Sequence, residues 1–154
     1  MIERNLKETR IATPSVLNPI YKTLVVLLVL MNSKSDKGVK IGRIQVSLWG
    51  MSSNRNKQIL LDYKKHGTIS SIPITPDNQL RIILANAEQR GWIDQVADGV
   101  SYSRYIITLQ GRSLLRSLRK FDLYKEIEEG ISEIAKIPDN KIDNINYVWT
   151  DDLF

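Results

Sequence analysis

The fold of this chain is decided by a strand that runs straight into a helix, in the stretch Arg104-Tyr105-Ile106-Ile107-Thr108-Leu109-Gln110-Gly111-Arg112-Ser113-Leu114-Leu115. Upstream, Gln89-Arg90-Gly91-Trp92-Ile93 indicates a helix that stops at a glycine and passes into an earlier strand. Asp98-Gly99 fits a tight turn between the two strands. A helix, a strand, a turn, a strand and then Thr-Leu-x-Gly is the order at the C-terminal end of a winged-helix domain, a type of domain that binds DNA or a protein partner.

Hydrophobic periodicity predicts helices on both sides of this hairpin. Four precede it, over about residues 19–31, from 39 or 40 to 50, over 55–65, and from 75 to the glycine at 91. The first is apolar nearly all round, which indicates burial on most sides. Two more helices follow the hairpin. The fourth, fifth and last helices have apolar inner faces, formed in turn by Leu80, Ile83, Leu84 and Ala87, by Leu114, Leu115 and Leu118, and by Tyr124, Ile127, Ile131 and Ile134.

Capping residues mark the predicted helix ends. Asn18 precedes Pro19 at the first start, and Ser52-Ser53-Asn54 can cap the third helix. Thr75-Pro76-Asp77 supplies a cap, a first-turn proline and a first-turn acid for the fourth. Gly67 is expected to end the third helix in a left-handed conformation.

One domain is expected, flanked by two terminal segments. Residues 1–17 are predicted to be an arm, residues 18–137 a winged-helix domain and residues 138–154 an acidic-aromatic tail that begins where Pro138-Asp139-Asn140 ends the fold. The predicted class is mainly α with a small β-hairpin (α+β), as a winged helix-turn-helix with an extra C-terminal helix.

Charge is unevenly distributed along the chain. The net charge is +5, and residues 138–154 carry −3, so the rest carries +8. A basic body is compatible with a nucleic-acid partner or with an ordinary solvated surface. There is no cysteine, and the apolar run 24–31 is far shorter than the ~20 residues that span a bilayer. We expect a cytoplasmic chain without membrane contact.

Groups suited to catalysis are scarce in this sequence. His66 is the single histidine, beside a helix-ending glycine, and no zinc-ligand spacing surrounds it. The stretch 38–42 has two glycines and a lysine without the spacing of a phosphate loop. Asp151-Asp152 lies in the tail, where carboxylates are solvated. We therefore predict no catalytic residue, no cofactor and no metal.

Binding residues are predicted on three segments. The helix before the hairpin presents Asn78, Arg81 and Ile82 outward, and Asn and Arg are residue types that read base edges. Specific DNA binding also needs several phosphate contacts, for which this helix has few cations. Stronger basic sets follow the hairpin and surround the second helix: Arg112, Arg116, Arg119 and Lys120; Lys37, Lys40 and Arg43. Each is open to three interpretations: a solvated face, contact with a phosphate backbone without sequence preference, or contact with the acidic surface of a partner.

The tail carries a separate signal, because bulky apolar side chains stand among its acids. Such a pattern suits docking onto another subunit or packing back onto the domain. With Ile82, the candidate partner-binding residues are Tyr147, Trp149, Leu153 and Phe154.

The layout resembles the small middle components of three-component ABC-ATPase defence systems, including the Lamassu type. The resemblance covers roughly residues 17–135. It rests on short segments: Leu17-Asn18-Pro19-Ile20-Tyr21, Ile44-Gln45-Val46-Ser47-Leu48-Trp49-Gly50-Met51, Arg81 through Trp92, Gly99-Val100-Ser101-Tyr102, Thr108-x-x-Gly111 with Leu114-Leu115, and Tyr124. The Thr-x-x-Gly part is shared with MarR- and PadR-type regulators.

The resemblance implies a non-catalytic accessory subunit in an anti-phage complex. Its partners would be an SMC- or Rad50-like ATPase and an effector, often a nuclease, and those partners would hydrolyse ATP and cleave DNA. Double-stranded DNA without sequence preference is a further expected partner, and homodimer formation stays open. The alternative is a MarR/PadR-like transcriptional regulator that binds DNA as a dimer.

Overall fold

A computed structural model describes residues 18–33, 36–67, 77–97 and 103–145. The chain is mainly helical in these ranges, with one small antiparallel sheet, so the predicted α+β class is confirmed. Its elements in chain order are α1 (Pro19–Asn32), β1 (Val39–Lys40), α2 (Ile41–Met51), α3 (Asn54–His66), α4 (Leu80–Gln89), β2 (Ile93–Ala97), β3 (Ser103–Ile107), α5 (Leu109–Leu118), α6 (Asp122–Ile134) and α7 (139–145).

Helix α1 forms the centre of the fold. It begins where the Asn18 side chain accepts the Ile20 N–H at 2.8 Å, with Pro19 in the first helical position, as predicted. Every residue from Leu24 to Leu30 is buried. Helices α2, α4, α5 and α6 and strand β3 all pack against it, which explains why it is apolar nearly all round.

The sheet has the strand order β1-β3-β2, and both pairings are antiparallel. Strands β2 and β3 pair as predicted, and the predicted turn at Asp98-Gly99 lies outside the described residues. Val39 and Lys40 were predicted to begin a helix, and this prediction is wrong: they pair with Tyr105 and Arg104 of β3. The pairing buries the Val39 side chain in the core, and helix α2 begins one residue later.

The ends of α3 and α4 only partly match the predictions. Ser53 caps α3 by accepting the Asn56 N–H at 3.0 Å, and Gly67 ends it at φ 73°, as predicted. Helix α4 was expected to start at Pro76, with Thr75 as its cap, but it begins at Leu80. The Asp77 carboxylate instead accepts the Gln79 N–H at 2.8 Å in a turn, and Thr75 and Pro76 lie outside the described residues.

Two hydrophobic clusters make up the core. The larger surrounds α1 and includes every predicted inner residue of α4, together with Leu115 of α5 and Tyr124, Ile127 and Ile131 of α6. The smaller joins α2, α3, the end of α6 and α7; its buried residues are Val46, Leu60, Tyr63, Ile134, Ile137, Ile142 and Ile145.

Helix α7 overturns the prediction that the fold ends at residues 138–140. Ile142 and Ile145 are spaced for one face of a helix, and both are fully buried in the smaller cluster. The Tyr63 hydroxyl donates to the Lys141 carbonyl at 3.0 Å, and the Lys141 ammonium donates to the Lys64 carbonyl at 3.0 Å. The folded part therefore extends at least to residue 145; the arm and residues 146–154 lie outside the described residues.

Candidate nucleic-acid interface

The basic face of α5 is the most uniform charged surface among the described residues. We define it as Arg112, Arg116, Arg119 and Lys120, all of which are exposed. The first three positions are spaced by four and three residues, so they share one side of the helix. From Arg112 to Arg119, the C-cap of α5, the rise is roughly 10 Å at ~1.5 Å per residue, and Lys120 follows in the turn after the helix.

A threonine cap sets the position of this helix. The Thr108 hydroxyl accepts the Gly111 N–H at 3.0 Å, which caps α5, and donates to the Gly91 carbonyl at 2.6 Å. The Thr108 N–H donates to the Trp92 carbonyl at 3.0 Å. The end of β3, the start of β2 and the first turn of α5 are thereby tied together.

Gly111 allows α5 to lie directly against the backbone of the residue that precedes β2. A Cβ at this position would lie 2.3 Å from the Trp92 carbonyl oxygen and 2.7 Å from an Ile107 side-chain carbon. Leu115, one turn further on, is buried against α1. With one side of the helix fixed in this way, the basic face points to solvent.

Acids are absent from the sequence of this face, and Asp36 borders the same cavity as Arg112. The segment from Leu109 to Phe121 contains no Asp or Glu. In the described part of the chain none of the four cations pairs with a carboxylate. Arg112 lies 3.4 Å from the Met31 sulfur, and the Lys120 ammonium lies 5.6 Å from the centre of the Phe121 ring. The four charges can therefore act together on a polyanion.

The second predicted basic set is divided by the fold. Lys40 pairs with Asp143 at 3.5 Å, and Arg43 pairs with Asp139 at 2.8 Å. Lys37 is exposed in the turn before β1. Lys40 and Arg43 thus already face carboxylates of α7, a pairing that the sequence analysis missed because the partners lie about a hundred residues apart.

A small cavity lies between the first cation of the basic face and the turn before β1. It has a volume of about 240 Å³ and is bordered by Arg112 and by Asp36 and Gly38, the two neighbours of Lys37 in the sequence. The first cation of the basic face thus lies beside the turn that leads into β1, whereas Arg43 faces α7.

Helix α4 and the turn before it carry the remaining candidates for base reading. Asn78 and Arg81 are exposed, and Ile82 beside them is 63% exposed. Glu88 on the same helix contributes, after burial, to raising the pKa of Tyr105 above its usual value. Charges of both signs and an apolar side chain therefore share the surface of α4, in contrast to α5.

Partner-binding candidates fall into two groups. Ile82 is exposed as expected, whereas Tyr147, Trp149, Leu153 and Phe154 lie outside the described residues. Among the other exposed apolar residues, none of which was predicted to bind a partner, Ile20 at 74% and Leu109 at 81% are the most exposed. Both occupy the first turn of a helix, where inward and outward positions are hard to distinguish by periodicity.

The described residues include no group of three or more His, Cys, Asp or Glu side chains that could hold a metal ion. His66 is exposed in the last turn of α3. In the same residues no helix combines the length and the apolar character that crossing a bilayer requires. The absence of catalytic, cofactor and metal residues stays a prediction.

Larger grooves lie away from the basic face. One of about 590 Å³ separates the ends of α1 and α6 and is bordered by Arg43, Ser47 and Lys136. Another, of about 370 Å³, lies between the start of α1 and α6 and is bordered by Tyr21, Lys57 and Glu126. The Tyr21 hydroxyl donates to the Met51 carbonyl at 2.9 Å, and burial and then the charge of Glu126 raise its pKa.

Comparison of the chain with protein-family models, with curated proteins and with solved structures gives no match. The functional argument therefore depends on the residues and their geometry.

Proposed function

We propose that this chain is a non-catalytic winged-helix accessory subunit of an SMC- or Rad50-like ATPase complex in bacterial anti-phage defence. In this proposal the basic face of α5 contacts double-stranded DNA without sequence preference, and the ATPase and an effector subunit, often a nuclease, perform the chemistry. The order α4, β2, β3 and a Thr-capped α5, with β1 as a third strand, supports the winged-helix assignment. The cytoplasm is the compartment expected for such a complex.

The observation that carries the DNA contact is the acid-free basic face of α5. Four exposed cations on α5 and the two residues that follow it, without carboxylate partners in the described residues, suit a phosphate backbone. Phosphate contacts position a protein on DNA but do not read sequence. In winged-helix regulators the helix before the hairpin reads the bases. Here that helix is α4, which carries Ile82 and Glu88 on its surface instead of a set of cations.

Salt dependence provides a quantitative test. Each phosphate that a protein neutralises contributes about −0.9 to the slope of log K against log salt, so four contacts give a slope near −3.6. The affinity for a duplex of about 30 base pairs should then fall roughly 150-fold between ~50 and ~200 mM salt. We expect R112A/R116A/R119A to bring the slope to about −0.9.

A matched control separates the site from overall charge. R55A/K65A/K125A removes the same charge from exposed positions on α3 and α6. It should retain the wild-type slope, and both variants should melt like the wild type because all six side chains are exposed. Equal loss of binding in the two triple variants would eliminate the basic face as the contact site.

The partner is tested by purifying the tagged chain from its native host and identifying copurified proteins by mass spectrometry. Stoichiometric recovery of a coiled-coil ATPase would support the proposed role as a subunit of its complex. The MarR/PadR-like regulator, a dimer on DNA, is the alternative. It would bind one sequence over others by about a thousandfold or more, with N78A and R81A affecting binding more than changes in α5. That outcome would reject the proposed subunit.

A further inference from the structure

Helix α7 lies against the basic side of α2 and the edge of the sheet. Asp143 approaches the Lys40 ammonium at 3.5 Å, and Asp139 accepts from the Arg43 guanidinium at 3.0 and 2.8 Å. Two of the cations that the sequence assigns to phosphate contact therefore meet carboxylates of the same chain. A phosphate that binds either cation must first displace its carboxylate.

The two pairs differ in how firmly they are held. The Arg43 side chain is 13% exposed, and it also donates to the Ile137 carbonyl, so its position is fixed by the fold. The Lys40 and Asp143 side chains are 37% and 49% exposed, and their separation is long for an ion pair. Such an exposed pair is weak in water, because hydration and salt compete with it. Lys40 is the cation that can exchange its partner.

The location of Lys40 favours a polyanion as the new partner. It lies opposite Arg104 in the β1–β3 register, so the two cations extend from the same face of the sheet. Lys40 follows Gly38 by two residues, and Gly38 borders the same cavity as Arg112 of the basic face. Lys40 is therefore the cation at the edge of the sheet that a DNA backbone would meet if it continued from α5 past this cavity along β1.

We propose that DNA contact extends from the basic face of α5 over β1 to Lys40, and that Asp143 competes with phosphate for this lysine. This inference rests on the proposed DNA contact by α5. Asp143 places a negative charge beside the path of the DNA backbone, so α7 sets how tightly the chain holds DNA. A partner that binds the carboxylate of Asp143 would strengthen DNA binding without any contact to the DNA.

The test is D143N measured on the same duplex. Releasing Lys40 adds one phosphate contact, so the slope should become steeper by about 0.9. The ratio of the affinity at ~50 mM salt to the affinity at ~200 mM salt should therefore be about 3 or more times larger for D143N than for the wild type. Ile142 and Ile145 anchor α7 in the core, so the variant should keep the wild-type melting temperature. K40A/D143N should return to the wild-type slope.

The control is D62N, which removes one exposed carboxylate from α3, where it accepts from Gln58 at 3.1 Å. An equal slope in D62N and D143N overturns the inference, as does a K40A/D143N variant that keeps the steeper slope. If the wild type binds with the slope of the α5 contact and D143N does not differ from it, only this inference fails. If no variant shows binding that depends on α5, the proposed DNA contact itself fails.

Discussion

Replacing Gly111 with alanine tests the close approach of α5 to the Trp92 carbonyl. The new Cβ would lie 2.3 Å from the Trp92 carbonyl oxygen, about 1 Å closer than the ~3.3 Å of a close carbon–oxygen contact. This oxygen also accepts the Thr108 N–H at 3.0 Å, so it cannot move without breaking the junction between helix and sheet. Overpacking typically costs about 1–3 kcal/mol, and the rigidity of a backbone atom favours the upper end of that range.

The gain in helix propensity from glycine to alanine offsets at most about 1 kcal/mol of this cost. We therefore expect G111A to lower the free energy of unfolding by about 2 kcal/mol or more. For a chain of this length, about 2–4 °C per kcal/mol predicts a melting temperature lowered by roughly 4–8 °C. Urea unfolding followed by tryptophan fluorescence gives the free energy, and calorimetry gives the melting temperature.

The matched control is G130A, the same substitution inside α6. Its Cβ would lie 2.7 Å from the Met51 sulfur, the mobile part of a flexible side chain that can shift aside. The gain in helix propensity then nearly balances the repacking, and stability should stay within about 1 kcal/mol of the wild type. Wild-type stability of G111A would refute the described approach of α5 to Trp92. Equal losses in both variants would attribute the effect to the substitution type.

Three further perturbations test other parts of the fold. K22M removes the partner of Asp77, which lies 2.7 Å from the Lys22 ammonium, and should cost about 2–3 kcal/mol by urea unfolding; K22M/D77N should recover part of this loss. I145A should cost about 2–4 kcal/mol, whereas an unpacked tail would tolerate it without change. Burial and then the Glu126 charge raise the pKa of Tyr21, so its stabilising contribution is complete below about pH 10 and is lost as the pH rises through the folded-state pKa. Y21F should flatten the alkaline decline in melting temperature, and an unchanged pH profile would contradict the assignment.

Local signals predicted most of the helical framework. The caps at Asn18 and Ser53 act through hydrogen bonds within a few residues, so their side chains identify helix starts in the sequence. Thr108 caps α5 in the same way, although it was not predicted as a cap. The inner faces of α4 and α6 follow the helical period and are buried as expected. The cations of α5 could also be read from spacing alone, because they and the buried Leu115 belong to one amphipathic helix.

Elements that depend on distant partners could not be read in this way. Val39 and Lys40 form a strand because β3, more than sixty residues later, supplies their hydrogen-bonding partners. Helix α7 follows Pro138 and begins with Asp139 and Asn140, residues typical of turns, and its stability comes from Ile142 and Ile145 packing in the smaller cluster. For the same reason, the carboxylates that face Lys40 and Arg43 emerged only from the folded structure.

Local charge favours α5 over α4 as the surface that would meet DNA. A polyanion responds to the sum of nearby charges, and the single cation Arg81 on α4 shares its helix with Glu88. Helix α5 has no acid, and the close approach at Gly111 fixes its rotation, so its arginines face solvent together. In DNA-reading winged helices, the helix before the hairpin enters the groove and places side chains on the bases. A protein held instead by the helix after the hairpin would contact phosphates and leave the bases unread, which is why the proposed DNA binding is independent of sequence.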